Sequence, residues 1–176
     1  MSKTRIFIAN YLYPEIEIIL SKSQSHYLIN VLRKKKGDEL YLFNEQNGEW
    51  SSLIKSIKTR TVVLIVKKKI RNTSDVVPLD LWLCFGVIKP KNIGYLVQKT
   101  SEIGLTKIVP IKTELSEKMK LNYQRLNKIC TEAVEQSKGI VVPEVSKEIP
   151  LNEILKNWED DRIIFVCDEL KEKYDI

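Results

Sequence analysis

Apolar residues in the first third of the chain recur in short alternating runs, and the alternation predicts strands at residues 5–8, 16–20, 39–43, 49–57 and 61–69. Asn47-Gly48 supplies a hairpin turn between two of these runs and Thr59-Arg60 a second. Short strands joined in this way predict a small barrel. One segment breaks the period: over residues 23–35, Leu28, Val31 and Leu32 fall at helical spacing, and Gly37 ends the run. A polar stretch at residues 72–78, NTSDVVP, then leads into a different pattern.

From Leu79 onward, strands and helices alternate. A strand at residues 79–85 precedes a helix at 93–103, whose Ile93, Leu96, Val97, Thr100 and Ile103 share one face and whose stop is Gly104. A strand at 107–111 follows. A second helix at 122–138 turns Leu126, Ile129, Cys130, Ala133 and Val134 inward, with Gly139 and Pro143 closing it. Leu151, Ile154, Leu155 and Trp158 mark a short helix, and residues 162–167 read as a further strand. Three strands separated by helices predict a parallel sheet with right-handed crossovers. The expected fold is therefore α+β in two domains, a β-barrel over residues 1–72 and an α/β domain over 73–176.

Charge divides at the same boundary. Residues 1–72 hold fourteen Lys and Arg against six Asp and Glu, a net of +8, whereas the remainder is slightly acidic within a total of +6. The first part is the natural binder of a polyanion, and its clusters are Arg33-Lys34-Lys35-Lys36 and Lys67-Lys68-Lys69 with Arg71. The alternative for either cluster is a solvated face. The apolar runs are too short to cross a bilayer and no long apolar signal core opens the chain, so no membrane partner and a cytoplasmic location are expected. Three scattered cysteines, a single histidine and no CxxC point away from disulfides and metal. GxGxxG, GxxxxGK[ST] and GxSxG are absent, which discounts several nucleotide-binding and hydrolase classes.

The most informative stretch is 83–110, LCFGVIKPKNIGYLVQKTSEIGLTKIVP, a strand, a lysine-bearing loop, an amphipathic helix and a second strand. Ligands of such sheets bind beyond the carboxyl ends of the strands, which directs attention to Gly86-Val87-Ile88-Lys89. A strand-end lysine is also commonly just solvated.

Three segments carry a resemblance. HYLINVLRKKKGDELYLFN (26–44), IKPKNIGYLVQKTSEIGLTKIVP (88–110) and EAVEQSKGIVVPEV (132–145) are similar, in order and spacing, to the RsmE family of 16S ribosomal RNA methyltransferases. The resemblance implies an N-terminal PUA-like barrel that binds RNA and a SPOUT-type α/β domain. It also implies S-adenosylmethionine as cofactor and methyl transfer to N3 of a uridine in 16S ribosomal RNA of the small subunit. Such chemistry requires an exposed base whose N3 lies in line with the sulfonium methyl. By this resemblance Arg5, His26, Arg33, Lys34 and Lys35 contact RNA, and Lys89, Lys99, Glu102 and Gln136 lie near the reacting end. It names no general base or cofactor ligand. Each residue has a second reading: Arg5 and Arg33 pairing with carboxylates, His26 satisfying the local backbone, Glu102 pairing with Lys99 three positions earlier, and Gln136 capping its helix.

The sequence departs from the family pattern at Asn92 and Gly94, where lysine and then glutamate are usual, and at Gly139, where arginine is usual. After a strand like 163–167 the family continues through a GPEGG-type loop and an LGxRILRxET-type segment, which form the knot, hold the cofactor and make the homodimer. This sequence runs instead to DELKEKYDI. The expectation is thus an incomplete SPOUT domain without the knot segment and with no basis for the family dimer. Two functions follow, the methyltransferase of the family or a non-catalytic RNA-binding remnant of it.

Overall fold

The computed structural model describes residues 4–75, 80–114, 116, 119–159 and 161–167. All five strands expected in the first part are present. They are β1 (Arg5–Phe7), β2 (Glu17–Ile19), β3 (Glu39–Asn44), β4 (Gly48–Lys58) and β5 (Thr61–Arg71), in one sheet of order β1-β3-β4-β5-β2. β1 runs parallel to β3, and the other pairings are antiparallel. The two eleven-residue strands β4 and β5 meet at Thr59 and Arg60, both with positive φ, as a two-residue hairpin turn requires. Alternation decides which side of β5 is buried. Val62, Leu64 and Val66 are fully enclosed with Leu28, Leu40, Leu42 and Ile54, while the residues between them are half-exposed.

The expected helix at 23–35 is shorter and differently wound. Ser21 and Gln24 form a reciprocal capping box for α1 (Lys22–His26), which passes into a π-helical turn at Tyr27–Val31. The wider turn carries Val31 out to solvent while Leu28 stays buried, and the segment ends at Arg33 rather than Gly37. Arg33 adopts φ +53, and the Lys34 N–H donates to Leu28 O at 2.9 Å. The basic run is thereby held in a defined turn, tied at its far end by Gly37 N–H to Ile54 O at 2.9 Å.

In the second part, β6 (Trp82–Gly86), β7 (Lys107–Lys112), β8 (Glu144–Val145) and β9 (Ile149–Pro150) are all parallel, with β7 central. β8 and β9 follow one another along the same edge of β7. They act as one interrupted strand that the sequence pattern had not revealed. Helices α2 (Pro90–Ile103) and α3 (Tyr123–Ser137) pack on the sheet through Ile93, Val97, Leu126 and Cys130 against Val87 and Ile108. Gly104 ends α2 at φ +99 as expected, whereas α3 ends on left-handed Lys138 and not on Gly139.

Several expectations are corrected. Residues 162–167 form no strand: among the described residues no edge pairs with them, and Ile163 and Phe165 are 79% and 84% exposed. An apolar run is compatible with a strand but becomes one only beside a partner. Ile103 lies on the solvent side of the last turn of α2, and Leu151 and Leu155 of α4 (Leu151–Lys156) are exposed, while Ile154 of the same helix is half-buried. The expected start of the first α/β strand at Leu79, part of the connection before it and the last nine residues fall outside the described residues. No helix among the described residues is long and apolar enough to cross a membrane.

Candidate nucleic-acid interface

The two sheets are joined by an ionic network at the C-terminus of α3. Helix ends leave carbonyl oxygens without intrahelical donors, and α3 has no basic residue of its own in the last turn. Arginines from the other sheet take that role. Arg5 donates to Val134 O (2.9 Å), Glu135 O (3.2 Å) and Gly139 O (2.6 Å), and Arg71 donates to Lys138 O (2.9 Å). Glu49, buried between them, accepts from Arg5 Nε and, at 2.8 Å, from Arg71 Nε. The Arg5 guanidinium also lies 4.2 Å from the centre of the Phe43 ring. Desolvation pulls the Arg5 pKa down from its ordinary value, with Glu49 opposing. In return, the Phe7 N–H donates to the Glu135 carboxylate at 2.9 Å.

This docking leaves an open cleft of about 930 Å³, walled on one side by the α1 region and on the other by α2 and α3. Tyr27 and Gln24 stand on the first wall, Lys91, Tyr95 and Gln98 on α2, and Arg125, Lys128, Glu132 and Gln136 on α3. Both helices run back against the parallel strands, since Thr106, just before β7, bonds to Leu81, just before β6, at 3.0 Å. The N-terminal residues Lys91 and Arg125 therefore lie toward the carboxyl ends of the strands, and Gln136 lies at the opposite end, near the first sheet.

The structure separates the residues that the sequence had grouped. Arg5 is 8% exposed, and its hydrogen bonds are made within the protein, so it is a tie between the two sheets and not a surface contact for RNA. His26 is exposed at the end of α1, and Arg33 and Lys35 are exposed on the turn beyond it, with Lys34 half-buried. Lys89 occupies the N-cap position of α2 at the carboxyl side of β6, exposed and without a side-chain cap bond. Lys99 and Glu102 sit in the last turns of α2, roughly 15 Å or more along the helix from Lys89. They pair at 2.8 Å, and Gln98 donates to the other Glu102 oxygen at 3.0 Å. The Lys99–Glu102 hydrogen bond raises the Lys99 pKa and lowers that of Glu102. Of the four residues expected near the reacting end, Gln136 alone lines the cleft, and Lys89 alone sits at a strand end.

Sequence reasoning read Arg71 only as part of a basic cluster and missed Glu49, Tyr95 and Arg125. The signal for the last two was the helical spacing of exposed aromatic and cationic residues opposite the apolar faces of α2 and α3. The second basic cluster, in contrast, is largely engaged: Lys67 pairs with Glu15 at 3.0 Å, Lys69 lies 5.2 Å from the Trp50 ring centre, and Arg71 holds Glu49.

Comparison with known proteins decides the ancestry. The family described as RNA methyltransferase domain matches residues 75–175, and the RNA methyltransferase PUA domain matches residues 20–67. The chain belongs to the RNA methyltransferase family. Ribosomal RNA small subunit methyltransferase E of Rickettsia conorii is 28% identical over 177 residues, covering 100% of this chain and 71% of that protein. The protein of the same name from Buchnera aphidicola subsp. Schizaphis graminum is 37% identical over 111 residues, 62% of this chain and 44% of its own length. These names bear out the resemblance read from the sequence. Among solved structures, a Legionella pneumophila protein described as a methyltransferase with bound S-adenosylmethionine matches with a TM-score of 0.82 at 23% identity, over 92% of this chain and 69% of that one. Ribosomal RNA small subunit methyltransferase E from Neisseria gonorrhoeae, bound to S-adenosylmethionine, matches with a TM-score of 0.78 at 20% identity, over 90% and 67%. This methyltransferase-family chain spans between 44% and 71% of the length of the curated relatives it matches.

At the carboxyl ends of β6 and β7, where a cofactor would be expected, the described residues present Gly86, Thr113 and Ser116. The Thr113 N–H donates to the Ser116 hydroxyl at 3.0 Å, which donates back to the Thr113 carbonyl at 2.9 Å. These polar groups are turned on one another, and a Cβ built on Gly86 would meet only the Thr113 hydroxyl, at 3.8 Å. Among the described residues, this pair does not by itself fit a nucleoside, and it carries no step of S-adenosylmethionine chemistry alone.

Proposed function

We propose that this chain acts in S-adenosylmethionine-dependent methylation of uridine N3 in 16S ribosomal RNA. In this reading residues 1–72 form a closed PUA-like barrel that holds the RNA, and residues 73–176 form the SPOUT-type part that brings it to the methyl donor. Family membership supports the reaction class. The observation that carries the RNA-binding role is the contrast between the two basic clusters. Lys67 and Arg71 pair with Glu15 and Glu49 and Lys69 lies over the Trp50 ring, whereas Arg33, Lys35 and Lys36 are exposed on a turn fixed by Lys34 and Gly37. Cations held outward in a fixed geometry are suited to phosphate contacts, which give affinity without sequence readout. His26, one helix end away, belongs to the same face, and Lys89 and Gln136 mark the two ends of the route from that face to the strand ends.

A second reading is favoured by the mutual hydrogen bonds of Thr113 and Ser116 at the strand ends: the chain binds ribosomal RNA and transfers no methyl group, or does so only as a homodimer in which a second copy completes the pocket. Incubation with radiolabelled S-adenosylmethionine and unmethylated small ribosomal subunits separates the two. Label recovered at uridine N3 supports the enzyme. RNA binding without label, from folded protein that gives no heat on titration with S-adenosylmethionine, sinks it in favour of the binding module.

A further inference from the structure

We propose that the cleft between α1 and the α2–α3 pair is a groove for a short unpaired RNA segment, which lies along α3 with bases stacked on Tyr95 and Tyr27 and a phosphate on Arg125. The inference rests on the RNA-binding reading above and deepens it, because it names the route and the form of RNA admitted.

Three observations support it. The first is shape. From Arg125 to Gln136 the groove follows α3 for roughly 16 Å, the length of about four or five stacked nucleotides.

The second is chemistry. Tyr95 is 67% exposed although it stands on a wall of the cleft, and Tyr27 is exposed on the facing wall. Exposed aromatic rings combined with cations are how proteins hold single strands of any sequence. The Arg125 guanidinium has no acceptor among the described residues, and the same holds for the Lys91 ammonium. The Gln136 carboxamide, also unbonded there, offers a donor and an acceptor side by side, which suits the edge of an unpaired base.

The third is that the carboxylates of the groove are already occupied. Glu132 lies 3.6 Å from Lys128, and Glu135 accepts the Phe7 N–H, so they oppose a phosphate less than free carboxylates do. The groove runs from Gln136, near the first sheet, to Lys91 and Arg125, toward the carboxyl ends of β6 and β7. It would lead a strand along α3 toward the place where the family's chemistry is expected.

The test is fluorescence anisotropy of a labelled uridine hexanucleotide and of a blunt RNA duplex with the full chain, using Tyr95→Ala and Arg125→Gln. Both residues are on the surface of helices, and circular dichroism checks that each variant is folded. Tyr95→Ala is expected to weaken the hexanucleotide by roughly 5- to 100-fold, with the salt dependence unchanged and the duplex unaffected. Arg125→Gln is expected to weaken it and to reduce the slope of log K against log salt by about 0.7. If both variants bind the hexanucleotide like the parent while Arg33→Ala with Lys34→Ala loses affinity, the groove is wrong and the RNA-binding reading stands. If the parent binds neither RNA, both fail.

Discussion

Replacing Arg5 by methionine should loosen the junction between the two sheets more than it damages either one. The change removes donors to three carbonyl oxygens around the end of α3, one half of the Glu49 ion pair and the cation over Phe43. Removing one partner of a buried ion pair generally costs about 3–5 kcal/mol because the other charge is left behind. Glu49 retains Arg71 at 2.8 Å, and Arg71 is partly in water, which places the expected loss near the lower end, about 3 kcal/mol. Arg5→Lys should recover less than half of it, since one ammonium cannot span Glu49, Val134 O and Gly139 O as the planar fork does. Glu49→Gln should be as harmful as Arg5→Met, because it leaves two guanidinium groups facing each other over a neutral amide.

Urea unfolding followed by tryptophan emission gives the total, and hydrogen exchange gives the location. Amides of the last turn of α3 and of residues 138–140 should exchange faster in Arg5→Met, while those of the β4–β5 hairpin keep most of their protection. A loss below about 1 kcal/mol, or full recovery by lysine, would refute the argument that the fork ties the sheets. Equal loss of protection in β4 and β5 would show that Arg5 acts as an ordinary core residue of the first sheet.

Gly48→Ala should cost about 3 kcal/mol or more, measured by the same unfolding experiment, because φ is +78° and the new Cβ would lie 2.2 Å from Arg71 O, a backbone atom that cannot turn aside. Desolvation raises the Glu135 pKa despite the Phe7 hydrogen bond, so the folded state holds this proton more tightly than the unfolded chain, and its contribution is present at acid pH and lost as pH rises through the raised value. Urea midpoints should therefore fall less with rising pH above the ordinary carboxylate range in Glu135→Gln than in the parent, and a steeper fall in the variant would contradict this. Arg33→Ala with Lys34→Ala should reduce the salt slope of single-stranded RNA binding by about 1.4, and an unchanged slope would remove the turn from the interface.

The strands of the first sheet were legible because burial on one side leaves a period of two, and Val62, Leu64 and Val66 write it plainly. The two main helices were legible through Ile93 and Val97, and through Leu126, Cys130 and Val134, for the corresponding reason. What escaped depended on contacts distant in sequence. β8 and β9 are two residues each, too short to carry a period, and exist only because β7 offers an edge. Residues 162–167 have the composition of a strand without a partner among the described residues. Arg5 was read as a surface cation because nothing local announces that residues 134–139, far along the chain, will present carbonyl oxygens to it.

The same long-range contacts change what the charge of the chain means. A net of +8 in residues 1–72 suggests a uniformly basic face, but the structure sorts those cations by role. Arg5 and Arg71 turn inward to the end of α3, while Lys55 and Lys67 are paired with Glu17 and Glu15. Of the cations left facing solvent, Arg33, Lys35 and Lys36 share the turn after the π-helical segment and Lys22, Lys58, Arg60 and Lys68 lie apart from it, while Lys91 and Arg125 line the cleft. The inward arginines tie the end of α3 to the first sheet, and the cleft lies beside that junction. Burying part of the positive charge thus fixes the junction beside which the proposed RNA groove lies, and the cations that remain outward are the ones open to phosphates.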